Sequence, residues 1–183
     1  GIDGVTVRLY ASTADPATTP PLATTVTSGG GAYLFTGLPS GSYFIQIPGS
    51  MFVSDAPMDR MLSLPDQGDD NGIDDDQDEN GDDPASPSAT GVRSTVFELF
   101  PNQEPTNAGG EYGSNALVDD TDDNNTDLTI DFGFYRPVGV GNLVFLDANR
   151  NGRFDTGEGK DGVTVELYYD SQSPGFEPPL AST

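Results

Sequence analysis

The sequence predicts an all-β fold built from tandem copies of one unit. Glycine and proline are abundant, with 23 and 15 residues, and helix-forming residues are scarce, a composition typical of strands joined by turns. Several segments alternate apolar and polar side chains with the two-residue period of a half-buried strand. Residues 1–25 also align without a gap with residues 159–183, with 14 identities in 25 positions. The chain therefore contains one period of about 158 residues and the start of the next.

The N-terminal third of the chain predicts four strands. Residues 5–10 alternate as a half-buried strand, and residues 22–27 form a short polar strand after a loop rich in threonine and proline. Residues 32–47 predict two strands joined around a turn at residues 37–41. The leading core candidates are Tyr33, Phe35, Leu38, Tyr43 and Ile45.

The remaining predicted strands lie in the second half of the chain. Residues 93–100 predict one strand, with Val96 and either Phe97 or Leu99 facing the core, depending on register. Residues 128–135 predict the last strand of the first unit. Residues 138–146 and 162–169 are rich in β-branched and aromatic residues and predict strands on either side of a polar loop.

That polar loop, residues 147–158, matches a twelve-residue calcium loop of the EF-hand type. Side-chain oxygens stand at positions 1, 3, 5 and 9, a backbone carbonyl at 7 and a glutamate at 12, and Gly152 occupies position 6, where the chain turns sharply. Two of the ligands are neutral asparagines, which favours the weaker, extracellular end of the calcium affinity range. The alternative is a polar hairpin loop that binds no ion. The predicted ligands are Asp147, Asn149, Asn151, Arg153 (through its carbonyl), Asp155 and Glu158.

A second acidic cluster contains ten acids within the eighteen residues 66–83. It includes half of one calcium-loop pattern and a looser variant of another, but neither has a glutamate at the twelfth position. A second ion is predicted here, and the alternative is a disordered acidic insertion. A third acidic run, residues 119–127, either caps an ion of this cluster or forms a plain acidic turn. The predicted ligands of the second ion are Asp69, Asn71, Asp74, Asp76, Asp78, Asn80 and Asp82.

The internal repeat predicts two domains. If residues 138–158 are the first strand and calcium loop of a repeat, then residues 1–137 form a repeat without its first strand, and residues 138–183 begin the next one. The open sheet edge needs a partner. Either the preceding repeat of a continuous chain supplies the strand, or a neighbouring chain supplies it by strand complementation. The second arrangement is head-to-tail and does not close, so it would produce a filament.

These motifs resemble a known family. Gly4 to Tyr10 (GVTVRLY), residues 31–43 (GAYLFTGLPSGSY), residues 127–137 (DLTIDFGFYRP) and residues 140–149 (VGNLVFLDAN) are similar to the B-type repeats of serine-aspartate repeat surface adhesins, within the collagen-adhesin B-type group. The resemblance covers most of the chain and weakens between residues 51 and 120. It implies a Greek-key β-sandwich of transthyretin-like or immunoglobulin-like kind, calcium-dependent folding, and an extracellular role as a spacer stalk on a bacterial surface. It supports the six calcium ligands of residues 147–158 and supplies no catalytic residues.

Composition excludes several other functions. The chain has no cysteine and no histidine, so the usual zinc sites and histidine-based catalysis are absent. A net charge of −23 repels nucleic acid and anionic membranes, and no apolar stretch has the length of a membrane span. The triplet Asp155, Thr156 and Gly157 is found in aspartic proteases, but it occurs once and within the calcium loop. We therefore expect no enzyme and no cofactor apart from calcium.

Two roles agree with this description. The first is a structural repeat of a surface stalk or filament, whose partners are successive copies of the same repeat, with glycans possible on the threonine-rich loops. The second is a ligand-binding adhesin, in which residues 51–64 would recognise a molecule of a host or of a neighbouring cell. Contacts confined to copies of the repeat would favour the first role, and a mapped ligand contact at residues 51–64 would favour the second.

Overall fold

Antiparallel strands form almost all of the regular structure in the computed structural model, which describes residues 1–64, 81–106, 124–172, 174–175 and 177–183. The chain divides into an N-terminal unit, Gly1–Pro137, and a C-terminal unit, Val138–Thr183. The strands are β1 (Thr6–Ala11), β2 (Ala23–Val26), β3 (Gly41–Ile47), β4 (Leu62–Ser63), β5 (Val92–Arg93), β6 (Phe97–Leu99), β7 (Phe134–Tyr135), β8 (Glu166–Leu167) and β9 (Ala181–Ser182); a 3-10 turn spans Gly49–Met51 and a short helix, α1, spans Pro87–Thr90.

The main sheet of the N-terminal unit is organised around β1 and β3. β1 pairs antiparallel with β2 on one side and with β3 on the other, and β3 then pairs with both β5 and β6. The central strands carry most of the burial: Val7, Leu9 and Tyr10 of β1 are buried, and so are the five consecutive residues of β3 from Tyr43 to Ile47. Tyr43 and Ile45, two of the predicted core residues, are 5% and 4% exposed. Those two predictions are confirmed.

One face of this sheet packs against two apolar clusters. The first cluster lies on β1, β3 and β6, and the partly buried side chains of Tyr33, Phe35 and Leu38 pack against it. Phe97 of β6 is buried, whereas Val96 is 51% exposed, so Phe97 faces the core and Val96 does not. The second cluster lies at the other end of the sheet. Its buried members are Val5, Ile47, Phe52, Met58 and Val92.

A second layer covers the sheet and completes the sandwich. It consists of residues 33–38, residues 130–134 and the two-stranded sheet of β4 with β7. The Tyr33 hydroxyl donates a hydrogen bond to the Ile130 carbonyl at 2.5 Å, which joins two segments of this layer. Phe132 packs against both apolar clusters. The N-terminal unit is therefore an antiparallel β-sandwich, as the sequence predicts.

Thr27 and Gly91 fix the backbone at the edges of this sandwich. The buried Thr27 hydroxyl accepts a hydrogen bond from the Val5 N–H at 2.9 Å and donates one to the Ile2 carbonyl at 2.7 Å. Gly91 ends α1 with a φ of 75°, and a Cβ at this position would lie 2.4 Å from the Ile47 carbonyl oxygen. Only glycine meets both conditions, so Gly91 lets β5 approach β3 closely.

The C-terminal unit contains two short hairpins and little buried surface. β8 pairs with β9, and Phe145 forms a bridge with Gly159. The Val, Leu and Phe side chains that the structure describes in this unit are all exposed, and Phe145 is the least exposed of them at 38%. Within residues 138–172, 174–175 and 177–183, apolar side chains are thus available to a partner.

Several predicted strands are shorter in the structure. Of residues 128–135 only β7 is a strand, residues 32–38 contain no strand beyond a bridge at Ala32, and residues 162–169 contain only β8. Residues 138–146 contain a single bridge at Phe145. The alternating pattern fixes which side chains can face a core, but a strand also requires a neighbouring backbone in register, which the pattern does not supply.

Candidate calcium site

A short hairpin holds the ends of the loop at residues 147–158. The Leu146 N–H donates to the Glu158 carbonyl at 2.9 Å, and the Lys160 N–H donates to the Val144 carbonyl at 2.9 Å. The rings of Phe145 and Phe154 meet edge to face with centroids 5.8 Å apart. These two backbone hydrogen bonds therefore hold the two ends of the loop together.

The first half of the loop folds around the oxygens of Asp147. Its two carboxylate oxygens accept hydrogen bonds from the Asn151 N–H at 3.1 Å and the Gly152 N–H at 2.8 Å. The Asn149 side-chain oxygen accepts from the same Asn151 N–H at 2.9 Å, so oxygens of loop positions 1 and 3 lie close together. The Asn151 side-chain oxygen accepts from the Arg153 N–H at 2.7 Å. These contacts are local turns in which each polar side chain holds the backbone two to five residues ahead.

The Asp155 carboxylate contacts the side chains of two other predicted ligands. The side-chain amides of Asn149 and Asn151 both donate to its Oδ2, each at 2.7 Å. Oxygen and nitrogen of an amide are nearly isosteric, and rotating an amide by a half turn exchanges a donor for an acceptor. The ends of three predicted ligands therefore meet where a cation would replace the partial positive charge of the two amide groups.

Glu158 closes the loop with both of its carboxylate oxygens. Oε1 accepts from the Ala148 N–H at 3.0 Å and Oε2 accepts from the Asp155 N–H at 3.0 Å. Asp147 and Glu158 are the only half-buried residues of the six predicted ligands, and the others are exposed. Gly152 has a φ of 76° and open space around it, which agrees with the sharp turn predicted at position 6. The structure therefore brings Asp147, Asn149, Asn151, Asp155 and Glu158 together in one loop.

The donor set of this loop fits a hard cation such as calcium. In the described part of the chain, no three Asp, Glu, His or Cys side chains are arranged as a metal site on their own. Here three acids and two amides lie in one loop, and their side-chain oxygens accept hydrogen bonds from N–H groups of that loop. Calcium accepts carboxylate, amide and carbonyl oxygens in flexible geometry, so neutral amides can complete its shell. Binding requires the two amides to turn their oxygens inward.

Most of the second predicted ion site lies outside the part of the chain that the structure describes. Asp69, Asn71, Asp74, Asp76, Asp78 and Asn80 lie outside the described residues, as do residues 119–123 of the third acidic run. Asp82 is described, and it pairs with β5: its N–H donates to the Arg93 carbonyl at 2.7 Å and its Oδ1 accepts from the Arg93 N–H at 2.7 Å. Asp82 thus has a structural contact, and its role as a ligand stays a prediction.

Residues 51–64 close one end of the sandwich. Phe52 and Met58 are 5% and 1% exposed, and Met51 and Met61 pack against the same cluster. Leu62 and Ser63 form β4, whose partner is β7. Most large side chains of this segment are therefore committed to the core.

Two titratable groups of the N-terminal unit were missed by sequence reasoning. Burial, followed by the nearby carboxylates of Asp131 and Asp127, raises the pKa of Tyr33 far above its usual value. Burial also raises the pKa of Glu104, which is 8% exposed and accepts a hydrogen bond from the Phe100 N–H. Both effects depend on segments that are distant in the chain, so neither has a signal in the sequence.

Comparison with known protein families assigns the chain to one of them. The family model of the SdrD B-like domain matches residues 1–99, just over half of the chain. The chain belongs to the SdrD B-like family. SdrD B-like domains are β-sandwich modules of bacterial cell-surface adhesins, and they are structural and not enzymatic. The resemblance and the fold class predicted from the sequence are thereby confirmed.

Other comparisons add little to the SdrD B-like assignment. No curated protein and no solved structure matches the chain. The longest helix within the described ranges has four residues, and none there has the length or hydropathy of a membrane span.

Proposed function

We propose that this chain is a calcium-stabilised structural repeat of an extracellular stalk or filament on a bacterial surface. The observation that carries the proposal is that the side chains of Asp147, Asn149, Asn151, Asp155 and Glu158 meet in one hydrogen-bonded loop, at the spacing of a calcium loop. Membership of the SdrD B-like family supports the structural role and the surface location. The binding of calcium and the assembly into a stalk or filament go beyond what family membership implies, and they are the substance of this proposal.

Calcium would act mechanically in this role. The chain carries a net charge of −23, and clustered carboxylates repel one another unless solvent or cations separate them. A bound ion offsets three carboxylates at the closed end of a hairpin whose own apolar side chains are exposed. Because the ion binds the folded loop and not the unfolded chain, its binding free energy adds to the stability of the hairpin.

The ligand set indicates weak to moderate affinity. Two of the five side-chain ligands, Asn149 and Asn151, are neutral, and the loop is largely exposed. Extracellular calcium modules bind with dissociation constants of about 0.1 to 1 mM, a range that such a site matches. At about 1 mM calcium such a loop would be between about half and nine-tenths occupied.

Chelation tests this proposal directly. We expect calcium to slow hydrogen exchange of the Leu146 and Lys160 amides, which close the hairpin, and excess chelator to reverse the effect. Magnesium at the same concentration serves as the control, since it demands a tighter octahedral shell. Amide exchange that is equal in calcium and in chelator would remove calcium from the proposal.

A further inference from the structure

All the methionines of the chain lie in one short segment of the N-terminal unit. Met51, Met58 and Met61 are the three methionines, and they fall between residues 51 and 61. The chain has no cysteine, no tryptophan and no histidine. Thiols and thioethers are the side chains that peroxides oxidise most readily. Every such group in this chain is therefore confined to residues 51–61.

These methionines pack against the second apolar cluster, at one end of the sandwich. Met58 is 1% exposed and is a buried member of that cluster, whereas Met51 and Met61 are half-buried and pack against it. The Met58 N–H donates to the Met51 carbonyl at 2.9 Å, and the Met61 N–H donates to the Met58 carbonyl at 3.0 Å. The segment thus folds back on itself, with one sulfur-bearing side chain enclosed and two within reach of solvent.

The sulfur of Met51 also has a role in the main sheet. β1 pairs with β3 from Arg8 to Ala11, and Thr6 lies beyond the end of that ladder. The Thr6 N–H donates to the Met51 Sδ at 3.3 Å. A thioether sulfur is a weak acceptor, so this contact depends on the sulfur keeping its present position. Met51 therefore joins residues 51–61 to the first residue of β1.

We propose that Met51 and Met61 are an oxidation site for hydroperoxides, and that oxidation of Met51 releases residues 51–61 from β1. A lone pair of the thioether sulfur attacks one peroxide oxygen, an S–O bond forms and the O–O bond breaks. With hydrogen peroxide, the departing hydroxide takes the proton of the transferred hydroxyl group and leaves as water. The sulfur loses two electrons and the peroxide gains them. Hydrogen peroxide carries no charge, so the net charge of −23 does not repel it.

A sulfoxide at residue 51 is incompatible with the present packing. Oxidation turns an apolar side chain into a polar, chiral one, which disrupts an apolar cluster. An oxygen on the lone pair that faces Thr6 would enter the 3.3 Å gap between the sulfur and the Thr6 nitrogen, and an oxygen on the other lone pair draws the side chain towards water. Met51 then moves, and the hydrogen bond from the Met58 N–H to its carbonyl opens with it. This inference goes beyond the calcium role and uses no residue of the calcium loop.

Peptide mapping by mass spectrometry tests the site in the unmodified chain. After brief treatment of the folded protein with hydrogen peroxide, we expect Met51 and Met61 to gain one oxygen each at least ten times faster than Met58. In concentrated urea the three rates should become equal, which serves as the control for intrinsic reactivity. A folded chain in which Met58 reacts as fast as Met51 would overturn the proposal.

Hydrogen exchange tests the structural consequence. We expect oxidation to speed exchange of the Thr6, Met58 and Met61 amides at least tenfold, because these amides bond to Met51 or within residues 51–61. The Ser12 amide, which bonds to the Ser42 carbonyl at the other end of β1, should change less than twofold. Equal exchange in the oxidised and untreated chains would overturn the release of the segment.

Two matched variants assign the effect to one sulfur. Leucine has a volume similar to that of methionine and does not react with peroxide, so Met51→Leu and Met61→Leu each remove one reactive group with little change in packing. Each variant is compared with its own untreated sample. We expect oxidised Met61→Leu to loosen as the parent does, and Met51→Leu to change less than twofold. Loosening of Met51→Leu to the parent level would overturn the role of Met51. The mapping experiment on the unmodified chain stands whether or not either variant folds.

Discussion

Replacing Glu158 by glutamine should weaken the candidate calcium loop in two separable ways. In the structure both carboxylate oxygens accept a backbone N–H at 3.0 Å, one from Ala148 and one from Asp155. Glutamine offers a single acceptor oxygen, so one of these two hydrogen bonds is lost. A hydrogen bond to a charged group contributes about 1.5 to 3 kcal/mol, and the half-exposed position favours the lower value. Without metal, the hairpin should therefore open about tenfold more often, since about 1.4 kcal/mol corresponds to a factor of ten.

The effect in calcium should be larger. At a calcium concentration of about one hundred times the dissociation constant, binding stabilises the parent loop by about 2.7 kcal/mol, which slows hydrogen exchange about a hundredfold. A unit charge about 2.4 Å from a divalent ion contributes about 3 kcal/mol even at the dielectric constant of water. Losing it should raise the dissociation constant about a hundredfold. At the same calcium concentration, exchange in Glu158→Gln should then slow only about twofold.

Calorimetric calcium titration and hydrogen exchange at the Leu146 and Lys160 amides measure the two effects. Glu166→Gln is the matched control, because it removes the same charge from the same unit at an exposed residue whose carboxylate contacts the Tyr168 hydroxyl. We expect the control to bind calcium with parent affinity. Parent affinity in Glu158→Gln, or an equal loss in both variants, would refute the assignment of Glu158 as a ligand.

Three further predictions concern the N-terminal unit, each measured by urea unfolding. Thr27→Val removes two hydrogen bonds from the Thr27 hydroxyl to backbone groups and should lower the free energy of unfolding by about 1 to 3 kcal/mol, whereas the exposed Thr24→Val should change it little. Equal unfolding midpoints for the two variants would contradict the bridging role of Thr27. Gly91→Ala should lower the free energy of unfolding by more than about 2 kcal/mol, because the backbone φ at this position is 75° and the new Cβ would meet the Ile47 carbonyl oxygen. A variant as stable as the parent would disprove the close approach of these two segments. Burial raises the pKa of Glu104, so the folded chain holds this proton to a higher pH than the unfolded chain does. The free energy of unfolding should therefore fall as the pH rises through the raised pKa. Glu104→Gln should be more stable than the parent at pH 7 but not at acid pH. A parent and variant with the same pH profile would contradict that linkage.

The local patterns of the sequence predicted the candidate loop well. Asp147, Asn149, Asn151, Asp155 and Glu158 form one hydrogen-bonded loop, because turn chemistry depends on residues within a few positions of each other. The ion itself stays a prediction. Residues 66–80 lie outside the described part of the chain, so the second acidic cluster has no structural outcome.

Long-range packing was beyond sequence reasoning. Several contacts depend on segments that are distant in the chain. Gly91 approaches Ile47 closely, and Thr27 bonds to Ile2 and Val5. Met58 and Glu104 are likewise buried by distant segments. Composition and alternation gave no signal for them, because each depends on which segments the fold brings together.

The amino-acid sequence by itself determined the all-β class, the family resemblance, the repeated hairpin and the polar loop, since each follows from composition, alternation or spacing along the chain. Only the tertiary structure decided which alternating segments become strands. Residues 32–38 and 128–133 have strand-like patterns but form no strand, and residues 138–146 have one but form a single bridge and remain exposed. The physical reason is that a strand is a property of two backbones in register, and the sequence of one segment does not specify where its neighbour comes from.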